Sequence, residues 1–289
     1  MPSLKAIRKR VATVKSTQQI TKAMQMVAAA KLRRAQEAAV ASRPYGEKLQ
    51  GMVHHLLGRE AGAGMHPLMQ IPATSKRMLV VFVTSDRGLC GGYNANLWRD
   101  LKTFTAGRSE EISYFVVGRK GNDTLKNAGI ETRDFVNMPA VKDAPEVARD
   151  ISLRVQRLFM EGEYDDIRIV YSAFKSAMTQ TPTIEELLPL RKAETDDPTT
   201  QSGHDYVFEP GAMWIIATLL PRLIEVQILH ALLEAGASEL AARMTAMDSA
   251  TRNASEMIER LTLQMNRARQ AQITTELMEI ISGAEALKG

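Results

Sequence analysis

The chain has 289 residues, 37 Lys plus Arg against 33 Asp plus Glu, a net charge of +4 and a 45% apolar fraction, which suits a folded protein with a sizeable core. One cysteine, Cys90, excludes an internal disulfide framework and a multi-cysteine metal site. No unbroken apolar run approaches the roughly 20 residues that span a bilayer.

The first element predicted is a long helix entered at Pro2-Ser3. Leu4, Ile7, Val11 and Val14 recur at spacings of three and four, the seam of a coiled coil. A polar patch, Ser16 to Gln19, interrupts the stripe, which is expected to resume in a shifted phase with Ile20, Met24 and Val27. An Ala-rich stretch of high helix propensity follows from Ala28 to Ala41. Pro44 is a possible kink, and the pattern continues through Leu49, Val53 and Leu56-Leu57 to Gly58. A continuous helix of that length would reach roughly 80 Å at about 1.5 Å per residue. Before Glu37 it carries nine basic residues and no acid, so it should attract an anionic partner: nucleic acid, lipid headgroups or an acidic protein loop. An Arg-rich, acid-poor start is also the composition of a transit peptide. The helical pattern runs on past residue 30 and no apolar h-region follows the basic residues, so no removable leader is expected.

The middle of the chain reads as alternating strands and helices. Met78–Thr84 has the composition of a buried strand, and Asn94–Thr105 is a predicted helix. A strand over Ile112–Val117, a short helix over Lys120–Asn127 and a short strand over Glu131–Val136 follow. Then come a helix over Ala144–Glu161, a strand over Ile167–Tyr171 and an edge strand over Ile184–Leu190. Such alternation implies a mostly parallel sheet flanked by helices. The polar segment Thr195–Asp205 is expected to be a loop. A last helix runs from near Gly211 to about Leu287, with Pro221 in its first turns. Leu240, Met244, Met247, Ala254, Ile258, Leu261, Met265 and Ala268 form its seam, with Thr251 as a polar member. The register then slips by one to Ile273, Leu277, Ile280, Ala284 and Leu287, turning the stripe to a new face. At roughly 115 Å this helix would outreach the first, and its far end would need a sleeve from another protein. The expected architecture is α/β plus coiled coil. A long antiparallel two-helix coiled coil is built from segments 1–58 and 210–287, around a central Rossmann-like, mostly parallel α/β domain over 76–195.

The search for chemistry returns little. The loop Ser85–Gly92, S-D-R-G-L-C-G-G, lies between a strand and a helix, where open α/β sheets bind phosphates. Its glycine spacing matches neither G-x-G-x-x-G nor a P-loop, and the same glycines suit a tight packed turn. Cys90, near Arg87 and a helix start, is either a thiol of lowered pKa or a structural residue. His54-His55, His66, His204 and His230 show no metal-ligand spacing, and no nucleophile, base and orienting group assemble, so neither cofactor nor metal is expected. Arg267, Arg269 and Gln270 precede the register slip, where exposed guanidinium and amide groups can hydrogen-bond an enclosing protein.

Three segments carry a family resemblance. Ile7-Arg8 through the run Gln19–Ala29 is similar to the opening helix of the gamma-subunit family of F-type, proton-translocating ATP synthases. The Ser85–Gly92 loop resembles that family's central motif, which includes Asp86, Arg87, Gly88, Leu89, Cys90 and Gly91. The run from Ala268 to Ala284 resembles its C-terminal signature, with Ile273, Thr274, Glu276, Glu279, Gly283 and Ala284 in place. The resemblance implies a non-catalytic rotor shaft, turning inside a hexamer of three alpha and three beta subunits, with the α/β domain on the c-subunit ring and against epsilon. It implies that Arg269 and Gln270 hydrogen-bond a beta-subunit loop and that Lys22 and Met24 lie near beta's acidic lever segment. It further places Tyr206, Phe208 and Glu209 at the c-ring or epsilon contact, and the protein on the cytoplasmic side of a bacterial inner membrane as a peripheral subunit. No nucleic acid is expected under this reading. Two alternatives, a basic coiled-coil nucleic-acid binder and a small α/β enzyme with helical arms, lack a recognised binding module and a catalytic constellation respectively.

Overall fold

The computed structural model describes residues 4–59, 66–70, 75–191 and 212–286. In chain order the elements are α1 (Leu4–Arg59), a 3-10 turn (Pro67–Met69), β1 (Arg77–Val83), α2 (Tyr93–Thr105), β2 (Glu111–Val117), α3 (Arg119–Asn127), β3 (Asp134–Val136), α4 (Ala144–Met160), β4 (Asp166–Phe174), β5 (Gln180–Leu188) and α5 (Ala212–Ala286). Pro44 and Pro221 both lie inside helices. The contacts group the chain into two units, Met1–Ala28 with Met244–Gly289, and Ala29–Arg243.

The first unit is a pair of helical segments. On α1 the residues turned inward are Ile7, Val11 and Thr21, with Val14 and Gln18 half-buried between them and Ala28 buried at the end. The seam therefore holds its three–four spacing straight through the polar patch. The phase shift expected at Ile20 and Val27 does not occur: these side chains are 57% and 55% exposed. The reason is that polar residues fill the seam and find partners across it. Gln18 Nε2 donates to Ser255 Oγ at 2.7 Å, the Thr21 and Thr251 hydroxyls pair at 2.8 Å, and Gln25 Nε2 donates to Asp248 Oδ1 at 2.9 Å. These pairs run antiparallel and fix register, since a slip of one turn would leave half-buried polar groups unpaired. On α5, Met247 and Ala254 are buried, and Ile258, Leu261, Met265 and Ala268 are half-buried, as the heptad reading requires.

The second unit is built on a five-stranded sheet of order β3-β2-β1-β4-β5. The first four strands are parallel, and β5 pairs antiparallel with β4. Central β1 is buried on both faces, as parallel strands covered by helices are. Leu79, Val81 and Val83 point to a core shared with α4, Leu49–Leu56 of α1 and Ile216–Ala235 of α5. Met78, Val80 and Phe82 point to a second core with Leu97 and Leu101 of α2 and Leu125 of α3. Strand β4 runs three residues beyond its expected end. It turns through Ser176–Thr179, where Thr179 N donates to Ser176 O at 3.2 Å, so β5 starts earlier than Ile184. One stretch of α5 within Trp214–Gly283 is apolar and long enough by composition to cross a bilayer, which the count of unbroken apolar residues did not foresee. In this unit its apolar side chains Leu220, Leu223, Ile224, Ile228 and Leu232 are core residues.

Candidate functional site

The sheet reverses its winding between β1 and β4, and the crevice outside the carboxyl ends of those strands is where such sheets bind ligands. The Ser85–Gly92 motif forms one wall. Asp86 Oδ1 accepts from the backbone N–H groups of Arg119 at 3.0 Å and Met138 at 3.2 Å, tying the loop to the ends of β2 and β3. Ser85 Oγ donates to Arg87 O at 2.8 Å, and Asn94 Nδ2 donates to Ser85 Oγ at 2.8 Å. Behind the loop, Thr84 Oγ1 donates to Val117 O at 3.0 Å and accepts from Gly121 N at 2.8 Å. Leu89 holds a left-handed φ of 63° and is 64% exposed at the loop tip. This is a conformation that ordinarily costs a non-glycine residue roughly 1–2 kcal/mol.

The crevice is filled by α5. Glu234 Oε2 accepts from Phe174 N at 2.6 Å, and Ser238 Oγ donates to Ser172 O at 2.9 Å, both at the end of β4. Tyr93 OH donates to Ala235 O at 3.2 Å. Arg243 Nη2 donates to Arg87 O and Gly88 O, each at 3.3 Å, and pairs with Glu239. Burial pushes the Glu239 carboxyl above the usual carboxylate range, with Arg243 opposing that shift. The motif thus serves as a socket for the chain's own helix, with two of its carbonyls engaged by Arg243. Sequence reasoning missed Glu234, Ser238 and Arg243, because nothing local marks residues of a 75-residue helix as facing the end of a strand or a loop far earlier in the chain.

Cys90 sits 2% exposed behind the same loop, 3.4 Å from Asn94 Nδ2. Burial pushes its thiol up, outweighing the hydrogen bond from Ser85, so the alternative of a thiol activated by Arg87 is overturned. At pH 7 the native chain is expected to react with a thiol reagent at least ~100-fold more slowly than the unfolded chain. Equal rates in a stopped-flow comparison would contradict the buried placement. Among the described residues no group of His, Cys, Asp or Glu could hold a metal ion.

Most of the other predicted residues that the structure describes lie at exposed positions of the paired-helix unit. Lys22 is exposed and Met24 half-buried on α1; Arg269 and Gln270 are exposed on α5. Thr274 Oγ1 donates to Gln270 O at 3.0 Å, and Glu276 accepts from Gln272 at 2.9 Å. Every residue from Arg269 to Gly283 is exposed, including Ile273, Leu277, Met278, Ile280, Ile281 and Glu279. The antiparallel register set by Gln18 and Ser255 places Leu4, where α1 begins, level with about residue 269 of α5 at equal rise per residue. Beyond that level α5 has no helical partner among the described residues. Ala284 lies within α5, while Tyr206, Phe208 and Glu209 lie outside the described residues.

Comparison with known proteins gives three concordant results. The family model described as ATP synthase matches residues 3–287. The ATP synthase gamma chain of Geotalea daltonii is 50% identical over 292 residues, covering all of both chains, and that of Geobacter metallireducens is 49% identical with the same coverage. Among solved structures, the central stalk and c-ring structure of the Tetrahymena thermophila mitochondrial ATP synthase contains a chain 26% identical. It matches with a TM-score of 0.61, over 80% of this chain and 99% of that one. A chain of the Euglena gracilis mitochondrial ATP synthase shares the fold at a TM-score of 0.69 and 20% identity, over 98% of this chain and 94% of that one.

Proposed function

The chain belongs to the ATP synthase gamma-chain family, and from that premise we propose how its surfaces couple rotation to catalysis. It is a non-catalytic central-stalk subunit of a membrane-associated ATP synthase complex. The single observation that carries the finer reading is the run Arg269–Gly283, wholly exposed and bearing five large apolar side chains. A contiguous apolar surface of that kind needs an apolar surround. A bore formed by three alpha and three beta subunits supplies one, with Arg269 and Gln270 hydrogen-bonding a beta-subunit loop as the helix enters. The acid-free face around Lys22 and Met24 meets an acidic beta segment. The α/β unit meets the c-subunit ring and epsilon, on the cytoplasmic side of a bacterial inner membrane.

Rotation sets a condition on these contacts. Each must favour one beta conformation over another without trapping the shaft, because a contact biases an equilibrium only by its differential affinity. Exposed ion pairs, worth roughly 0–1 kcal/mol each, are weak enough to break at every step. The driving energy arrives from outside the chain, at about 2.3 kcal/mol per elementary charge per 100 mV.

Reconstitution tests this reading. The purified chain alone should show no ATPase activity, and with alpha and beta subunits it should form a stoichiometric three-three-one complex. A chain that stays unbound in size-exclusion chromatography would defeat the shaft assignment.

A further inference from the structure

One carboxylate in the α/β unit is buried beyond what packing requires. The Glu234 side chain is 3% exposed. Its Oε1 accepts from Arg43 Nη2 at 2.6 Å and Nε at 3.3 Å, and its Oε2 accepts from Phe174 N at 2.6 Å. His230 Nε2 stands 3.8 Å away. A groove of about 600 Å³, whose lining includes Arg43, Tyr171, Lys175, Glu185 and His230, runs past this cluster. A single side chain therefore ties together α1, α5 and the carboxyl end of β4.

Stability alone does not account for this choice. Withdrawing a charge from water is so costly that well-packed apolar residues usually do as well or better. A carboxylate held by a fork of guanidinium donors and a backbone amide supplies direction instead. Leu223, Ile224 and Ile228 bury α5 against the sheet, but apolar contacts are non-directional and permit small shear. The Glu234 contacts fix the rotation of α5 about its own axis and its position along β4. Ser238, one turn on, repeats the constraint through Ser172 O, and Tyr93 adds a third link through Ala235 O.

We propose that the Arg43–Glu234–Phe174 amide cluster is a torque anchor, a set of positioning residues that lock α5 to the sheet so that a twist applied to the α/β unit reaches the helix without slip. The inference rests on the central-stalk reading and assigns these residues a part in coupling. Glu234 touches neither nucleotide nor proton; it acts by holding α5.

The test uses the assembled enzyme in inverted membrane vesicles, with Glu234→Ala, Glu234→Gln and Arg43→Lys compared with the parent. ATP hydrolysis per complex and protons pumped per ATP are measured while the opposing proton gradient is raised. For Glu234→Ala, hydrolysis without load is expected to stay within about twofold, while pumping per ATP falls several-fold as load rises, because a buried partner has been removed. Glu234→Gln keeps an acceptor for Phe174 N and should lie between parent and alanine variant. Arg43→Lys keeps the charge but loses the fork, and should show the same load-dependent loss in milder form. Should Glu234→Ala fail to assemble, the other two variants decide the matter by the same ratio. Pumping per ATP unchanged at every load, or hydrolysis and pumping falling in constant proportion, would overturn the anchor. Failure of the parent chain to assemble with alpha and beta would instead strike the stalk reading, so the two failures are distinguishable.

Discussion

Gly118→Ala is expected to destabilise the α/β unit by about 4 kcal/mol, enough to lower its thermal midpoint by roughly 10 °C. Two effects add. Gly118 caps α3 at φ +98°, a region that side chains rarely enter, and a Cβ built there would lie 2.3 Å from Thr84 O. The carbonyl cannot retreat easily, because Thr84 is buried and its N–H donates to Val117 O at 2.7 Å. Gly107→Ala separates the two effects. It too has a left-handed φ, +78°, but a Cβ there meets nothing within 4 Å, so it should cost only about 1 kcal/mol. Calorimetry of the full chain checks both variants. Equal midpoint shifts would show that backbone conformation, and not the collision with Thr84, sets the cost.

The second large effect is expected at the exposed end of α5. Arg269→Ala combined with Gln270→Ala should leave assembly with alpha and beta intact, since both side chains are exposed. Turnover should fall roughly 10-fold or more. Two hydrogen bonds to a partner contribute about 1–1.5 kcal/mol each, and if they form mainly in the transition of the beta site their loss appears in the rate. Steady-state ATP hydrolysis by the reconstituted complex measures this. An undiminished rate would remove these two residues from the coupling contact.

Most of the architecture is legible along the chain because its signals are local. The apolar run Met78–Val83 announces a strand buried on both faces, and the three–four spacing of Leu4, Ile7, Val11 and Val14 announces a seam. The heptad from Met247 to Ala268 likewise reads through to the burial pattern. The reading fails where apolar periodicity is the wrong guide. Ile20 and Val27 look like seam residues by composition, yet Gln18 and Thr21 occupy the seam because Ser255 and Thr251 stand opposite to pair them. Pairing across more than two hundred positions leaves no trace in a window of eleven residues. The crevice is the same case: Asp86, Arg87 and Gly88 are visible as a motif, but Arg243, which grips the loop's carbonyls, is one arginine among many. The residues marked by family signature, Ile273 to Gly283, are conversely exposed throughout, and among the described residues their hydrogen bonds, such as Thr274 Oγ1 to Gln270 O, stay within α5.

The filled crevice has a further consequence. In sheets of this winding the opening beyond the strand ends is a listening post, where a diffusing metabolite can settle and be sensed. Here the post is garrisoned by Glu234, Ser238 and Arg243 from the same polypeptide. Any displacement of α5 would therefore be felt directly at these strand ends, as strain in the same hydrogen bonds.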